Sequence, residues 1–333
     1  MEWNQGFSAT YYATTVEPQS WRDSGRFEIL GGSINRSDDS LYQSADVTCT
    51  EWDTNKEQWI RIYLEAKQNS GGERHALFTG LATSPKKDVD GTLSEYPLQC
   101  YSVVKPAEDV LLERGWYAPT NVPGTTIIAN LLSVCPCPIE IEEQSPNLQE
   151  PIVAEDGESN LSMAQKVLAA IGWRMRITGN GTVQILQQPE QPVVMFDTNY
   201  SDVIEPEVEV ENDWFNCPNV FRAISDDLSG IARDDDPNSI LSTVSRGREV
   251  WMEETGCDYN DGETIQEYAE RRLQEEQNHY VKVSYNRRYH PDVMPTDLVR
   301  LHYPNIAGVF TVNSQTIELG YGAATNEEVS NAE

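Results

Sequence analysis

Four histidines, His75, His279, His290 and His302, are the natural place to look for acid–base or metal chemistry in this 333-residue chain. None stands in a His-x-x-x-His pair, which on a helix would aim two imidazoles at one metal, and no Gly-x-Ser-x-Gly elbow presents a nucleophile. His302 falls in an alternating apolar/polar run and reads as a structural strand residue. Cys135-Pro136-Cys137-Pro138 is the one close cysteine pair. A structural zinc needs four ligands, usually from two such knuckles, so a helix end followed by a proline-locked loop is expected instead. Asp226-Asp227 and Asp234-Asp235-Asp236 could gather around a cation, but they lack the Asp-x-Asp-x-Asp-Gly and distal Glu spacing of a calcium loop. Gly31-Gly32 and Gly320-Tyr321-Gly322 lack the flanking pattern of a phosphate cradle. Among 54 acidic residues nothing singles out a carboxylate pair for glycoside hydrolysis. The expectation is a chain with no catalytic, cofactor-binding or metal site, and no enzyme.

Charge dominates the composition. Lys and Arg number 24 against 54 Asp and Glu, a formal net charge of -30. Such a surface repels phosphate backbones and anionic membranes. The eight Trp, 15 Tyr and seven Phe are enough aromatic material to build cores, so the chain is expected to fold. No apolar run approaches the ~20 residues of a membrane span. The opening Met1-Glu2-Trp3-Asn4 lacks the basic and apolar regions of a secretory leader. Six cysteines at irregular spacing, Cys49, Cys100, Cys135, Cys137, Cys217 and Cys257, suit buried reduced thiols and assembly in the cytoplasm.

The elements that would position these residues fall into three stretches. Residues 1–110 read as short strands separated by turns. Arg26–Leu30, Ser33–Arg36, Ala45–Cys49, Trp59–Glu65, Ala76–Ala82 and Ser94–Tyr101 are the strands, with Arg61 and Glu65 expected on a solvated side. Ser37–Ser40, Ser70–Glu73 and Asp88–Gly91 are expected to be turns. Residues 111–195 read as an α+β module. Ile127, Ile128, Leu131 and Leu132 recur at helical spacing after Pro123-Gly124. A second helix runs from Asn160 to Ile171, capped by Ser159 or Asn160 and stopped by Gly172, with Leu161, Ala164, Leu168 and Ile171 as its buried face. Trp173–Leu186 follows as a hairpin turning at Gly179-Asn180-Gly181. From residue 196 strands return at Pro206–Glu211, Asn219–Ile224, Tyr280–Tyr285, Leu298–His302, Gly308–Val312 and Gln315–Leu319. A helix over 263–278 interrupts them, with Ile265, Tyr268, Ala269 and Leu273 inward and Glu267/Arg271 paired outside. The residues after 322 read as a frayed tail. The fold class is therefore α+β, mostly β.

One internal echo is present. Ile60-Arg61-Ile62-Tyr63 with Leu77-Phe78-Thr79-Gly80 parallels Val299-Arg300-Leu301-His302 with Val309-Phe310-Thr311-Val312, as a duplicated unit would leave behind.

The order of elements resembles the tail (baseplate) hub proteins of bacteriophages, the late control protein D-like group, over about the full chain. Three stretches carry the resemblance: Gly31–Ile34 with Ser44–Val47, the Asn160–Gly172 helix with the Trp173–Leu186 hairpin, and Met294–Leu301 with Ala307–Ile317. The last is similar to the family's closing Pro-x-Asp-x-Val and Gly-x-Phe-x-Val-x-Ser strands. There the family has Gly where this chain has Thr296. The resemblance implies two small β-barrel domains, 1–110 and 196–322, around the inserted 111–195 module. It further implies a homotrimer whose six barrels match a hexameric tail tube on one side and a trimeric spike or fibre on the other. Tail-tube, distal-tail, tape-measure and spike or fibre proteins would be its partners, and DNA would pass the acidic channel without specific binding. The other readings weighed are a tail-associated peptidase or muramidase and a tail-tube or distal-tail protein.

Overall fold

The structure, a computed structural model, describes residues 1–3, 5–38, 43–83, 88–90, 93–197, 204–225, 228–257, 263–278, 280–303, 306–322 and 324–332. The chain begins with seven strands: β1 (Ser8–Glu17), β2 (Arg22–Ser37), β3 (Ser44–Cys49), β4 (Gln58–Gln68), β5 (Gly71–Ala82), β6 (Asp88–Asp90) and β7 (Leu93–Ser102). Pairing in the order β1-β4-β5-β7-β3-β2 returns to β1, so six antiparallel strands close a ring, with β6 appended to β7. Alternation dictates its filling: Ala13, Ile34, Val47, Ile60, Ile62, Phe78 and Leu98 all turn inward and are buried. Strand β1 escapes the sequence reading, although its Thr/Tyr/Val run has the β-branched and aromatic character of a strand. Asp88–Asp90, expected as a turn, instead pairs with Leu93–Glu95. The expected Ser37–Ser40 turn lies partly outside the described residues. Gly32 is required where β2 crosses β3, since a Cβ there would sit 2.0 Å from the Asp46 carbonyl oxygen.

The middle of the chain holds α1 (Lys105–Asp109), β8 (Tyr117–Ala118), α2 (Gly124–Leu132), β9 (Ile139–Ile141), β10 (Ile152–Val153), α3 (Asn160–Ala170), β11 (Arg174–Ile177) and β12 (Val183–Leu186). The Ser159 side chain accepts from the Ser162 N–H to cap α3, and Gly172 takes φ +65 just past its end. The buried face of α3 is Leu161, Met163, Ala164 and Val167. Leu168 and Ile171, expected inside, are only half-buried, because α3 packs on α2 and α1 along the Met163–Val167 ridge. Strands β11 and β12 form the expected hairpin, and β9 joins β12 in parallel.

The remaining elements are β13 (Val194–Asp197), β14 (Ile204–Asn212), β15 (Val220–Ser225), β16 (Leu228–Arg233), α4 (Thr243–Arg246), β17 (Trp251–Thr255), α5 (Ile265–Asn278), β18 (Val281–Arg287), β19 (Leu298–Tyr303), β20 (Ile306–Leu319) and β21 (Thr325–Asn331). The order β14-β18-β21-β20-β19-β13 makes a second β region over a core of Phe196, Val283, Tyr285, Leu301, Phe310 and Val329. The expected helix over 263–278 belongs to a larger insertion: α5 lays Tyr268, Ala269 and Leu273 on its own sheet of β16-β15-β17, with Phe221 and Ala232 beneath.

Three expectations for this part are corrected. Gly308–Val312 and Gln315–Leu319 are one strand, β20, bent by a register shift between Val312 and Ser314. The end of the chain is not frayed, because β21 lies between β18 and β20 and completely buries Glu327 and Val329. On α5, Arg271 pairs with Glu263 and Glu275, while Glu267 turns back to accept from Thr264 at the helix start. The internal echo also has a limit. Ile62 faces Phe78 across β4–β5, whereas Leu301 faces Gly308 and Val299 faces Phe310 across β19–β20, a different register.

Candidate functional surface

The two β regions are one continuous sheet. Strand β20 is long enough to pair with β19 and β21 through one part and with β2 through the other, from Gly32↔Leu319 to Ser37↔Ser314. The path β7-β3-β2-β20-β21-β18-β14 is therefore unbroken, and alternation gives it two faces of opposite character. One row runs Gln99–Asp46–Ser33–Glu318 and another Tyr101–Ser44–Asn35–Thr316–Asn326–Asn286. A third runs Ser37–Ser314–Glu328–Ser284–Glu209. These residues are polar apart from the Tyr101 ring, and all are exposed or half-buried. Edge strand β14 adds Glu205, Glu207 and Glu211, all exposed, and the cation facing Glu211 is Lys282 on β18. This face gathers carboxylates across both β regions.

The opposite face is buried, and at the seam it is ionic. Arg287 donates to Glu327 through two nitrogens, Nη2 to Oε1 at 2.6 Å and Nε to Oε2 at 2.9 Å. Tyr285 Oη donates to Oε2 and Gln315 Nε2 to Oε1, both at 2.6 Å. Gln315 Oε1 in turn accepts from Arg36 Nη1 at 3.4 Å, and Arg36 also donates to the Leu77 carbonyl. Burial alone pushes the Glu327 carboxyl up, but Arg287 with the Tyr285 and Gln315 donors overcomes it and holds the group below the usual range. Linked through Glu327 and Gln315, the cluster fixes how β2, β18, β20 and β21 meet.

The β11–β12 hairpin is clamped to both β regions. On one side Arg61, expected on a solvated face, is buried: Nη1 donates to Asp23 at 2.8 Å, Nε to Thr79 at 2.9 Å and Nη2 to the Asn180 carbonyl at 3.0 Å. Thr79 Oγ1 donates to the Gly179 carbonyl at 2.7 Å. On the other side Asp297, 1% exposed, accepts from Arg174 at 3.1 Å and Arg176 at 3.0 Å through one oxygen. Thr296 beside it adopts φ +73, a left-handed conformation disfavoured for a β-branched residue. A glycine would take this conformation without strain.

The residues singled out for chemistry do not converge. His75 lies against Trp3 and Glu73, half-buried His290 against Phe196, and His302 is exposed on β19. His279 and Asp226-Asp227 lie outside the described residues. Asp234, Asp235 and Asp236 spend their oxygens on Ser239, on Thr243 and Arg233, and on Asn238, building the loop before α4. Among the described residues no group of three or more His, Cys, Asp or Glu side chains is placed to hold a metal. Cys135 and Cys137, in the connection between α2 and β9, are both buried in the core of the middle module. Sequence reasoning missed the acidic face because it arises from register between strands far apart in the chain. Its local sign was the Glu-x-Glu-x-Glu alternation of β14.

Neither a known protein family nor a curated protein matches the sequence. Solved structures do. A tail protein from Neisseria meningitidis superposes with a TM-score of 0.71 at 12% identity, covering 98% of this chain and 97% of that one. The 43 kDa tail protein of a Shewanella oneidensis prophage gives 0.69 at 12% identity, with 97% and 96% covered. A type VI secretion component from Escherichia coli gives 0.54 at 8% identity, with 92% and 74% covered. Over essentially its whole length, this chain has the fold of bacteriophage tail proteins.

Proposed function

We propose that the chain is a structural virion protein, the hub of a phage tail tip or baseplate. Three copies would assemble about an axis, presenting six β units to a hexameric tail tube on one side and a trimeric spike or fibre on the other. In this reading the chain divides into β units over 1–110 and from 196 onward, with the 111–195 module holding them at a fixed angle. The observation that carries the reading is the single acidic face running across both β units. Turned to the axis, Asp46, Glu318, Glu328, Glu209 and their neighbours would line a channel that repels DNA and lets it slide without binding. The outer edge of β14, which has no strand beside it among the described residues, would be covered by a neighbouring subunit. Tail-tube, distal-tail, tape-measure and spike or fibre proteins are the partners this role requires. Light scattering on the purified chain mixed with its spike protein tests the proposal. The expected mass contains three copies of the 37.5 kDa chain. Six copies, or one copy per spike trimer, would overturn it.

A further inference from the structure

We propose that neighbouring copies of this chain meet head to tail, the Trp214–Phe215 corner of one copy seated on the β8–β10 ribbon of the next. This contact rests on the assembly about an axis given above and supplies the surfaces that hold it. The corner follows edge strand β14 directly. The Asp213 N–H donates to the Tyr280 carbonyl at 2.8 Å, the Trp214 ring lies 5.5 Å from that of Tyr280, and Phe215 beyond it is 76% exposed. Two arginines from the segment before β17 fix the corner. Arg246 donates to the Trp214 carbonyl and, at 2.7 Å, to that of Cys217. Arg248 donates to the carbonyls of Trp214 at 3.0 Å and Phe215 at 3.2 Å, with its guanidinium 5.1 Å from the centre of the Phe215 ring. Exposed aromatic rings beside arginines make up the usual centre of a protein interface, and a backbone already pinned loses little freedom on docking.

Charge identifies what the corner fits. Arg222 and Arg233 in the same unit pair with Glu253 and Glu249, whereas Arg246 and Arg248 bond only to main-chain carbonyls among the described residues. The complement lies on the middle module. Tyr117 and Val153 stand directly opposite each other on the β8–β10 ribbon and both are exposed, Val153 by 61%. Acid surrounds this apolar pair: Glu113 precedes β8 and Glu155 and Asp156 follow β10, all exposed. Lys166 and Arg114 answer Glu155 and Asp156, while Glu113 forms no ion pair among the described residues. Apolar rings with two uncompensated cations therefore match an apolar pair with an uncompensated carboxylate, and Glu113 is the partner assigned to Arg248.

One copy cannot make this contact with itself, because α5 stands between the two surfaces. The side of α5 that carries Tyr268 and Arg271 shares a cleft with Ile152 and Glu155 of the ribbon. At its far end Gln277 donates to the Pro218 carbonyl at 3.3 Å, behind the corner. Two different patches on one chain give a heterologous contact, which repeats from copy to copy and closes into a ring when the rotation permits.

The test weighs the full chain by light scattering across concentration, with two double variants altered at exposed residues. Trp214→Ala with Phe215→Ala removes the corner, and Tyr117→Ala with Val153→Ala removes its seat. The parent should reach three copies of the 37.5 kDa chain, and each variant alone should stay at one. Mixed together, the variants have one intact corner and one intact seat between them, so the mixture should stop at two copies. Variants that assemble like the parent, or a mixture that stays monomeric, would overturn the contact and leave the trimer standing. So would a parent that is monomeric alone yet joins its spike protein as three copies; three copies in neither setting would overturn both. Should a variant fold poorly, charge exchange decides. Arg248→Glu and Glu113→Arg should each weaken association about tenfold, and the chain carrying both should recover it. Failure to recover would refute the contact.

Discussion

Arg287 on β18 and Glu327 on β21, which stands opposite Tyr285, form a diagonal bidentate ion pair with both side chains 0% exposed. Tyr285 and Gln315 donate to the same carboxylate, so no lone pair or charge at its centre is left to water. Removing one partner leaves the other charge buried without compensation. Glu327→Gln should cost about 3–5 kcal/mol in chemical denaturation, the range for breaking a buried pair from one side. Replacing both residues with apolar ones of similar volume should cost less than the single change. Equal losses in the single and double variants would mean that the pair's geometry, rather than its charge balance, holds the seam.

The same carboxylate makes a prediction about acid. Glu327 is held below its ordinary value, so it binds fewer protons in the folded state than in the unfolded state at mildly acidic pH. Its contribution is fully present above the unfolded-state value near 4.5 and is lost as the pH falls through the depressed folded value. The unmutated chain should lose this increment of stability only below about pH 4.5, whereas Glu327→Gln should show a flatter dependence there. Denaturant midpoints measured from pH 7 down to pH 3 decide it. Parallel curves for the two proteins would show that Glu327 does not titrate with unfolding.

Helix α3 gives a sharper test of packing than its sequence pattern offered. Val167 is fully buried and Leu168 only half-buried, although both are apolar and adjacent. Val167→Asp should abolish cooperative unfolding of the middle module, since an uncompensated buried carboxylate costs several kcal/mol. Leu168→Asp should cost less, because its carboxylate can reach water. Native-state hydrogen exchange on β11 and β12 reads the difference. Greater damage from Leu168→Asp would put the wrong face of α3 in the core.

What the sequence disclosed follows from the range of the interactions involved. The hairpin at Gly179–Gly181, the cap at Ser159 and the strands β3 and β4 are local choices, and local propensity and period are enough to find them. The sequence places Arg61 on a solvated side because a charged residue in an alternating strand usually lies there. Its partners Asp23, Thr79 and Asn180 lie far away in sequence, and nothing near residue 61 announces them. Strand β21 hides for a similar reason: Thr-Asn-Glu-Glu-Val-Ser-Asn is polar, and it becomes a buried central strand only because Arg287 and Gln315 receive Glu327. The acidic face was visible only as a net charge until register aligned Asp46 with Ser33 and Glu328 with Ser284.

Thr296 offers a measurement at one residue. Its φ of +73 costs about 1–2 kcal/mol for an L side chain, yet its hydroxyl oxygen accepts from Arg174 Nη1 at 2.8 Å, beside the Asp297 pairs. Thr296→Gly removes the strain and the hydrogen bond together, while adding the chain entropy of glycine. These terms are each about 1 kcal/mol and opposed, so its stability should stay within about 1 kcal/mol of the parent. Thr296→Val keeps the strain and discards the acceptor, and should be the less stable of the two by about 1–2 kcal/mol. Thermal and denaturant unfolding of both variants check the order. If valine proved as stable as glycine, the left-handed turn before Asp297 would carry no strain.

The acidic face can be tested without the rest of the virion. Glu205, Glu207, Glu209 and Glu211 lie on the open-edged strand β14 and are exposed, so exchanging them leaves the cores untouched. The unmutated chain, at -30, should not retain duplex DNA at any salt concentration. Changing all four to Lys replaces a repulsive stripe with an attractive one alongside Lys282. The variant should bind duplex DNA weakly, and log K should fall with log[salt] at a slope of about -0.9 for each phosphate neutralised. In the trimer proposed above, the same change would put twelve lysines around the channel. Binding should then be stronger and more salt-sensitive in the assembled species than in the monomer. If instead the assembled variant bound DNA no better than the monomer, the lysines would lie on separate outer surfaces, and the acidic face would not line a common channel.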